Sequence, residues 1–366
     1  MPAPEVLVFA RLLAPITGDK PTGTDLRSDT SPTSDYYAIR DARKAASDSE
    51  RRIDKGDDTG EPPDWRPVVE RATKVLEEKS KDLELAAYLI EALVRTKGFP
   101  GLRDGYRLAR ELVERFWEGL YPTAQDGEVQ DRFSHILYLN GLDGPGALLV
   151  PVRKIAMTEK TSVGAFSMTH HHQARGLAQI ADPKLRQKRI DEGAITLEMI
   201  QKAVAETPAK FYADLVADIT QAGEEFRRFC AALSERYGYD PPSSELLGVL
   251  ESYLDAVKDL ARDKLPKVQP PSASLAAESA QAAQAPEQPA VAGTIKNRDE
   301  ALDRLRKIAD YFREHEPQSI IPYALEQVAN WGKMSLPELL SELIPDEGPR
   351  KNVFKQVGIK PPETKK

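Results

Sequence analysis

Apolar residues recur every three or four positions along most of the chain, the spacing that places side chains on one face of an α-helix. Three such runs follow one another within residues 68–117, and glycine and proline at 98–101 divide the second run from the third. Ser80 or Asp82 is placed to cap the second of these helices. Further runs cover about 184–265, and no clear alternation of apolar and polar positions competes with them. The pattern predicts an all-α protein built from helical bundles.

Some stretches depart from this pattern. Segment 15–35 is rich in Pro, Gly, Thr, Ser and Asp, which is typical of a loop. A short helix is predicted over 36–46, followed by a polar, exposed segment over 47–64. The apolar run 148–152 is compatible with a strand or with a buried loop, and the sequence does not decide between them.

The clearest change of composition lies at residues 266–293. Of these 28 residues, 21 are Ala, Pro, Gln or Ser and three are charged, so the segment has too little large apolar surface to form a core. We therefore expect an N-terminal helical domain (1–160), a middle helical domain (161–265), a flexible linker (266–293) and a small C-terminal helical module (294–366). A module of about 70 residues is marginal as an isolated fold, which makes self-association a reasonable hypothesis.

Composition narrows the possible functions. Lys and Arg number 51 and Asp and Glu 58, so the chain carries a net charge of −7 and lacks the basic footprint of a nucleic-acid binder. Its one cysteine, Cys230, cannot form an internal disulfide or a multi-thiolate metal site. No window reaches 18 apolar residues, and no basic stretch precedes the short apolar run near the N-terminus. We expect a cytoplasmic protein without direct membrane insertion.

Candidate chemistry is sparse. The three consecutive histidines at 170–172 would point in different directions on a helix, so structural or surface roles are favoured over adventitious metal binding. No Gly-x-Ser-x-Gly motif, P-loop or dinucleotide-binding glycine motif is present. We expect no catalytic residue, no metal and no cofactor. An enzyme with a site assembled from scattered polar residues remains an alternative, and it would require a deep pocket with perturbed titratable groups.

Two separated blocks of the sequence resemble a known family. The first block covers about residues 8–150, and its motif points run in order from Leu12-Leu-Ala-Pro-Ile-Thr-Gly-Asp19 and Gly23-Thr-Asp-Leu-Arg27 through Trp65-Arg-Pro-Val-Val69 and Ser80-Lys-Asp-Leu83 to Phe116-Trp117 and Tyr121-Pro122. This block resembles the N-terminal ImpA-type domain of the TssA proteins of the type VI secretion system.

The second block lies in the C-terminal module. It consists of Ala301-Leu302, Tyr311-Phe312-Arg313, Glu316-Pro317-Gln-Ser319 and Trp331-Gly-Lys-Met334. It is similar to the C-terminal module of the shorter TssA proteins, in which a helix leads into Glu-Pro-x-Ser-Pro and a later tryptophan. Here Ile320 stands where that motif has its last proline, and a proline follows at Pro322.

The resemblance implies a non-enzymatic bacterial component that works in the cytoplasm at the baseplate of a contractile, phage-tail-like machine. It implies a homo-oligomeric ring formed by the C-terminal module. It also implies partners among the baseplate components, the spike (VgrG), the tube (Hcp) and the sheath, with the membrane complex as a further possibility. A generic cytoplasmic helical adaptor, not tied to secretion, is the alternative.

Residue roles follow from the same resemblance. In the N-terminal domain the candidates are Asp25, Leu26, Arg27, Trp65, Asp82 and Trp117. Asp25, Arg27 and Asp82 are expected either to bind one another, fixing the early loop to the bundle, or to touch a partner, and the two tryptophans are expected in the core. The candidates for oligomerisation in the C-terminal module are Leu305, Phe312, Glu316, Pro317, Ser319, Trp331 and Met334. Four of them, Glu316, Pro317, Ser319 and Trp331, are expected either to shape the turn or to line a subunit contact.

Overall fold

The computed structural model describes residues 2–57, 59–123, 132–142, 144–238, 240–265, 298–315, 320–332, 334, 336–344 and 350. In these ranges the regular structure is helical, with only isolated bridges such as Gly23 with Ser80, so the predicted all-α fold is confirmed. The helices are α1 (Phe9–Leu12), α2 (Asp35–Asp54), α3 (Arg66–Glu78), α4 (Leu83–Phe116), α5 (Ser134–Asn140), α6 (Leu149–Lys154), α7 (Met168–Ala178), α8 (Pro183–Asp191), α9 (Leu197–Glu206), α10 (Ala209–Tyr237), α11 (Ser244–Leu260), α12 (Arg298–His315), α13 (Ile321–Trp331) and α14 (Leu336–Leu343), with 3₁₀ turns at Leu26–Ser28 and Trp117–Gly119.

The chain divides into two compact units, the first unit (Met1–Pro270) and the second unit (Pro271–Lys366). In the first unit, α4 is the central helix, with α3 on one side and α10 along another. Side chains from both domains predicted upstream of the linker share its core, where the ring of Tyr106 lies 4.7 Å from that of Phe226 and 5.5 Å from that of Phe229. The boundary predicted at residue 160 therefore falls inside one compact unit, while the predicted linker lies outside the described residues.

Helix α4 is buried along most of its length. Residues 83–94 are largely apolar, and in the second half buried charged residues are paired, as Arg103 Nε is with Asp104 Oδ1 at 2.7 Å. Asp82 caps it, since its Oδ1 accepts hydrogen bonds from the backbone N–H groups of Glu84 (2.9 Å) and Leu85 (3.1 Å). At Gly98 the backbone takes φ 62° and ψ −138°, a region open to glycine, and Pro100 follows. The predicted break between two helices is thus a kink within one long element.

Two local expectations differ from the structure. The segment 148–152, for which we weighed a strand or a buried loop, begins α6, which turns the side chains of Leu149 and Val152 inwards and leaves Val150 exposed. A helix fits this run because Leu149 and Val152 are three residues apart and therefore lie on the same helical face. Helix α2 is also longer than predicted, since its polar second half continues to Asp54 along the surface.

The described part of the second unit contains α12, α13 and α14, and α12 packs mainly against α13. The side chains described as buried there are few and mostly small: Leu302, Ala309, Pro322 and Ala329. None of the helices in the described ranges combines the length and hydropathy needed to cross a membrane.

Candidate functional site

A cluster of charged side chains joins the early loop to the central helix of the first unit. The guanidinium of Arg27 donates to Asp82 Oδ2 at 2.7 Å and to Glu84, and it lies 3.2 Å from Asp25 Oδ1. Asp82 is fully buried and Glu84 nearly so, whereas the Arg27 side chain is 20% exposed. We call Asp25, Arg27, Asp82 and Glu84 the Arg27 network.

The local sequence places each member of this network. Asp25 begins the 3₁₀ turn Leu26–Ser28, because its Oδ1 accepts the backbone N–H of Arg27 at 3.0 Å. Asp82 is the residue that caps α4, and Glu84 lies in the first turn of that helix. One buried carboxylate therefore both caps the central helix and binds the cation of the loop, so the loop and the helix are fixed to each other.

Aromatic side chains complete the shell around Glu84. Its Oε1 accepts hydrogen bonds from the hydroxyls of Tyr36 (2.9 Å) and Tyr88 (2.5 Å), and His135 Nε2 lies 3.3 Å away. The guanidinium of Arg27 lies 4.9 Å from the centre of the Tyr36 ring. The buried carboxylate is therefore surrounded by donors, as a charge of this kind requires.

The electrostatics of the network follow from burial and pairing. Burial raises the pKa of Asp82, against the opposing effect of Arg27. Burial acts in the same direction on Glu84, but Arg27 and the hydrogen bonds outweigh it and hold the pKa of Glu84 below its usual value. Burial and the neighbouring Glu84 raise the pKa of Tyr36 to about 12. These shifts describe a cation shared between two carboxylates, with the tyrosines kept neutral.

Lys81, next to Asp82, is fully buried. Its Nζ donates to the carbonyls of Leu12 (2.6 Å) and Leu76 (2.8 Å) and lies 5.6 Å from the Phe116 ring centre. These carbonyls lie near the C-terminal ends of α1 and α3, where a helix leaves acceptors unpaired and favours a positive charge. Burial lowers the pKa of Lys81 to about 8.

We expect the first unit to gain stability as the pH rises from about 8 towards 10 because of Lys81. In this window the lysine has lost its proton in the folded chain but keeps it in the unfolded chain, whose pKa is 10.5. The unfolded state then binds more protons, so the free energy of unfolding increases with pH, by at most about 1.4 kcal/mol per pH unit for one proton. Urea unfolding at about pH 7.5, 8.5 and 9.5 measures this slope.

The variant Lys81→Met isolates the contribution of this lysine, because methionine fills a similar volume without a titratable group. The rise should be absent or much smaller in this variant. Lys74→Met, at an exposed position of α3, is the matched control and should keep the slope of the parent. Parallel pH profiles for the parent and Lys81→Met would contradict the assignment.

The other N-terminal candidates lie in or beside the core. Trp65 is 3% exposed, and its indole N–H donates to Glu50 Oε1 at 2.9 Å beneath the guanidinium of Arg95. Trp117 is half-buried and stacks on Phe133, with ring centres 5.3 Å apart. Leu26 lies in the same loop as Arg27, and its side chain is buried, with 9% exposure. The structure thus brings Asp25, Arg27 and Asp82 together and places the two tryptophans elsewhere.

His170, His171 and Cys230 are half-buried. The backbone N–H of Ser167 donates to His170 Nδ1 at 3.1 Å, so this histidine closes the N-terminal end of α7. Burial lowers the pKa of both His170 and His171 and raises that of Cys230 to about 12. Across the described ranges, no group of three or more His, Cys, Asp or Glu side chains is arranged to hold a metal ion. An open cleft of about 640 Å³ beside Trp117 and Tyr121 mixes apolar and charged walls.

The second unit carries an unusual share of exposed apolar side chains. We call these the exposed apolar set, and its members, with their exposed fractions, are Ile308 (45%), Tyr311 (56%), Ile320 (81%), Tyr323 (70%), Val328 (44%) and Leu343 (50%). The described part of the much larger first unit has five comparable residues: Val8, Ile53, Tyr138, Val150 and Leu185. The surface of the second unit is therefore the more apolar one, relative to its size.

None of the predicted oligomerisation residues that the structure describes belongs to this set. Leu305 and Phe312 on α12 are half-buried, and so are Trp331 and Met334. The indole N–H of Trp331 donates to Glu342 Oε1 at 3.1 Å. Glu316, Pro317 and Ser319 lie outside the described residues. The sequence reasoning did not select Ile308 or Tyr311 for oligomerisation, because Ile308 fits the apolar face of α12 and reads as a core residue.

Comparison with known proteins places this geometry in a family. Residues 13–141 match the family model described as ImpA, N-terminal, type VI secretion system. The solved N-terminal domain of the TssA component of the type VI secretion system from Burkholderia cenocepacia, which includes the conserved ImpA_N region, matches with a TM-score of 0.60 and 28% identity, over 70% of this chain and 94% of that one. The start of the chain is thus an ImpA-type helical domain.

A relative extends the match to nearly the whole length. Type VI secretion system component TssA1 of Pseudomonas aeruginosa is 27% identical over 353 residues, which is 92% of this chain and 94% of the relative. The chain is therefore similar over nearly its whole length to a TssA component of a type VI secretion system, and its N-terminal part carries the ImpA-type domain.

Proposed function

We propose that the chain is a structural, non-enzymatic component that oligomerises through its second unit and helps to assemble the baseplate and the contractile tail. The observation that carries this proposal is the exposed apolar set on the described helices of the second unit. The similarity of the chain to TssA components supports the secretion context.

The second unit has a physical reason to associate. Its described core consists largely of small side chains, while several large ones face solvent. A module of this size gains little stability from such a core alone, and apolar patches on a protein surface mark contacts with other chains. Association of several copies would cover these side chains and supply the missing core, with closed symmetry as the usual solution for identical subunits.

The first unit suits the role of a presented binding arm. The Arg27 network and Lys81 tie its loop to the helical bundle, so its surface has a defined shape. Several copies carried on one oligomer would bind repeating partners with a raised effective concentration. We propose the tube, sheath, spike and baseplate proteins as these partners, and the cytoplasmic side of the apparatus as the location.

Pull-down with the purified full chain against purified tube, sheath, spike and baseplate proteins of the same system tests this function. We expect specific retention of at least one of them, and weaker retention by a chain ending at residue 265, which lacks the second unit and with it the multivalency. Retention of none of these proteins by an oligomeric full chain would overturn the secretion role and favour the generic helical adaptor.

A further inference from the structure

Helix α8 is the only α-helix described in the first unit in which no side chain is buried. Every residue from Pro183 to Arg189 is exposed, and so are the flanking residues from 191 to 193. A short helix that is polar on all sides gains nothing from packing and is marginal in water on its own. Packing against the rest of the chain therefore does not explain why this helix is present on the surface.

The local sequence nevertheless specifies this helix at both ends. Asp182 caps it, with its Oδ1 accepting the backbone N–H groups of Lys184 (2.9 Å) and Leu185 (3.4 Å), and Pro183 occupies the first helical position. Beyond its C-terminal end, Gly193 adopts φ 89° and donates its N–H to the Ile190 carbonyl at 2.9 Å. The capping shows that the helix is a defined element of the surface.

The charge of α8 is opposite to that of the molecule. Within the helix, Lys184, Arg186, Lys188 and Arg189 stand against Asp191, so the helix itself carries +3. Two further carboxylates flank it, that of the capping residue Asp182 and that of Glu192, which lies 3.8 Å from Lys188 Nζ. Since the whole chain carries −7, its other residues together carry −10. The cations surround Leu185, which is 44% exposed. An apolar side chain ringed by charges is the usual composition of a protein contact.

We propose that α8 is a docking element for an acidic surface of a partner protein. Opposite charges steer such a partner to the helix and fix its orientation, while Leu185 supplies the apolar contact at the centre. The distribution of charge argues against a lipid surface, because a helix that binds in the membrane interface has one continuous apolar face. This docking does not depend on the second unit, so it stands apart from the oligomerisation proposed above.

The test compares two full-length variants with equal loss of charge. In the α8 variant, Lys184, Arg186, Lys188 and Arg189 are each replaced by Gln, a good helix former. In the control variant, four exposed lysines on other elements are replaced by Gln: Lys20, Lys55, Lys97 and Lys258. Binding of labelled poly-L-glutamate of about 50 residues is measured by fluorescence anisotropy at low and high salt, with helix content checked by circular dichroism.

We expect the α8 variant to bind poly-L-glutamate about tenfold more weakly at low salt, and the control variant to bind like the parent. Equal losses in the two variants would overturn the proposal, because they would mean that only net charge matters. Vesicles with about one third phosphatidylglycerol form a second arm, in which α8-dependent binding without poly-L-glutamate binding would assign the helix to a membrane instead. Loss of self-association in the α8 variant alone, seen by light scattering, would assign it to a second copy of this chain.

Discussion

Replacing Arg27 with alanine should lower the free energy of unfolding of the first unit by about 3–5 kcal/mol, because it leaves two buried carboxylates without their cation. Asp82 is fully buried and Glu84 4% exposed, so water cannot take over the role of the guanidinium. Urea unfolding followed by tryptophan fluorescence in a Trp331→Phe background measures this loss, because the two remaining tryptophans lie in the first unit.

Two comparisons separate the buried network from ordinary surface pairing. Arg66→Ala removes an exposed ion pair, Arg66 Nε to Asp64 Oδ1 at 2.9 Å, and should change the free energy of unfolding little, because water and salt screen such a pair. Arg27→Lys keeps the positive charge but loses the branched guanidinium that reaches both carboxylates. The free energy of unfolding of this variant should therefore lie between those of the alanine variant and the parent. Equal effects of Arg27→Ala and Arg66→Ala would contradict a structural role for the network.

The pH dependence of Arg27→Ala gives a further diagnostic. Without the cation, burial raises the pKa of both carboxyl groups in the folded state above the unfolded value. The folded variant then binds more protons than the unfolded chain, and its stability relative to the parent should recover as the pH falls towards about 5. A deficit that stays constant with pH would indicate lost packing of the arginine stem instead.

The helices could be predicted from the sequence where burial is one-sided. Apolar side chains at helical spacing located α3, α4, α10 and α11, and Asp82 was correctly placed as a possible cap. Prediction was weakest where side chains do not pack against a core, and where a helix is too short to show a repeat of apolar positions. The polar second half of α2 was expected as an exposed segment, and the six residues of α6 were too few to distinguish a helix from a strand or a loop.

The candidate sites were predictable to different degrees for a physical reason. Asp25, Arg27 and Asp82 belong to sequence motifs, and the structure joins them with contacts over more than 50 residues of sequence. Glu84 and Tyr36 escaped notice because a buried glutamate and its hydroxyl donor look like surface residues until the packing is known. The exposed apolar set escaped for the opposite reason, since Ile308 and Tyr323 look like core residues in the sequence.

Replacing Ile320 and Tyr323 together with aspartate should raise the concentration needed for self-association of the full chain at least about a hundredfold. Both side chains are strongly exposed, 81% and 70%, so the isolated second unit loses little packing. In an oligomer the same positions would lie in an apolar contact, where burying a carboxylate without a partner costs several kcal/mol and about 2.7 kcal/mol suffices for a hundredfold change. Light scattering over a range of concentrations measures the effect.

The design of this double variant separates assembly from folding. Ile320 precedes the first residue of α13 and Tyr323 is exposed on that helix, so the helix content should be preserved. Tyr138→Asp changes a residue of similar exposure, 53%, in the first unit and should leave the oligomer intact. If the double variant and Tyr138→Asp both assemble like the parent, the exposed apolar set is not the contact between subunits. Loss of assembly in the double variant alone would place the contact on the second unit, because among the described residues only that unit has more large apolar side chains exposed than buried.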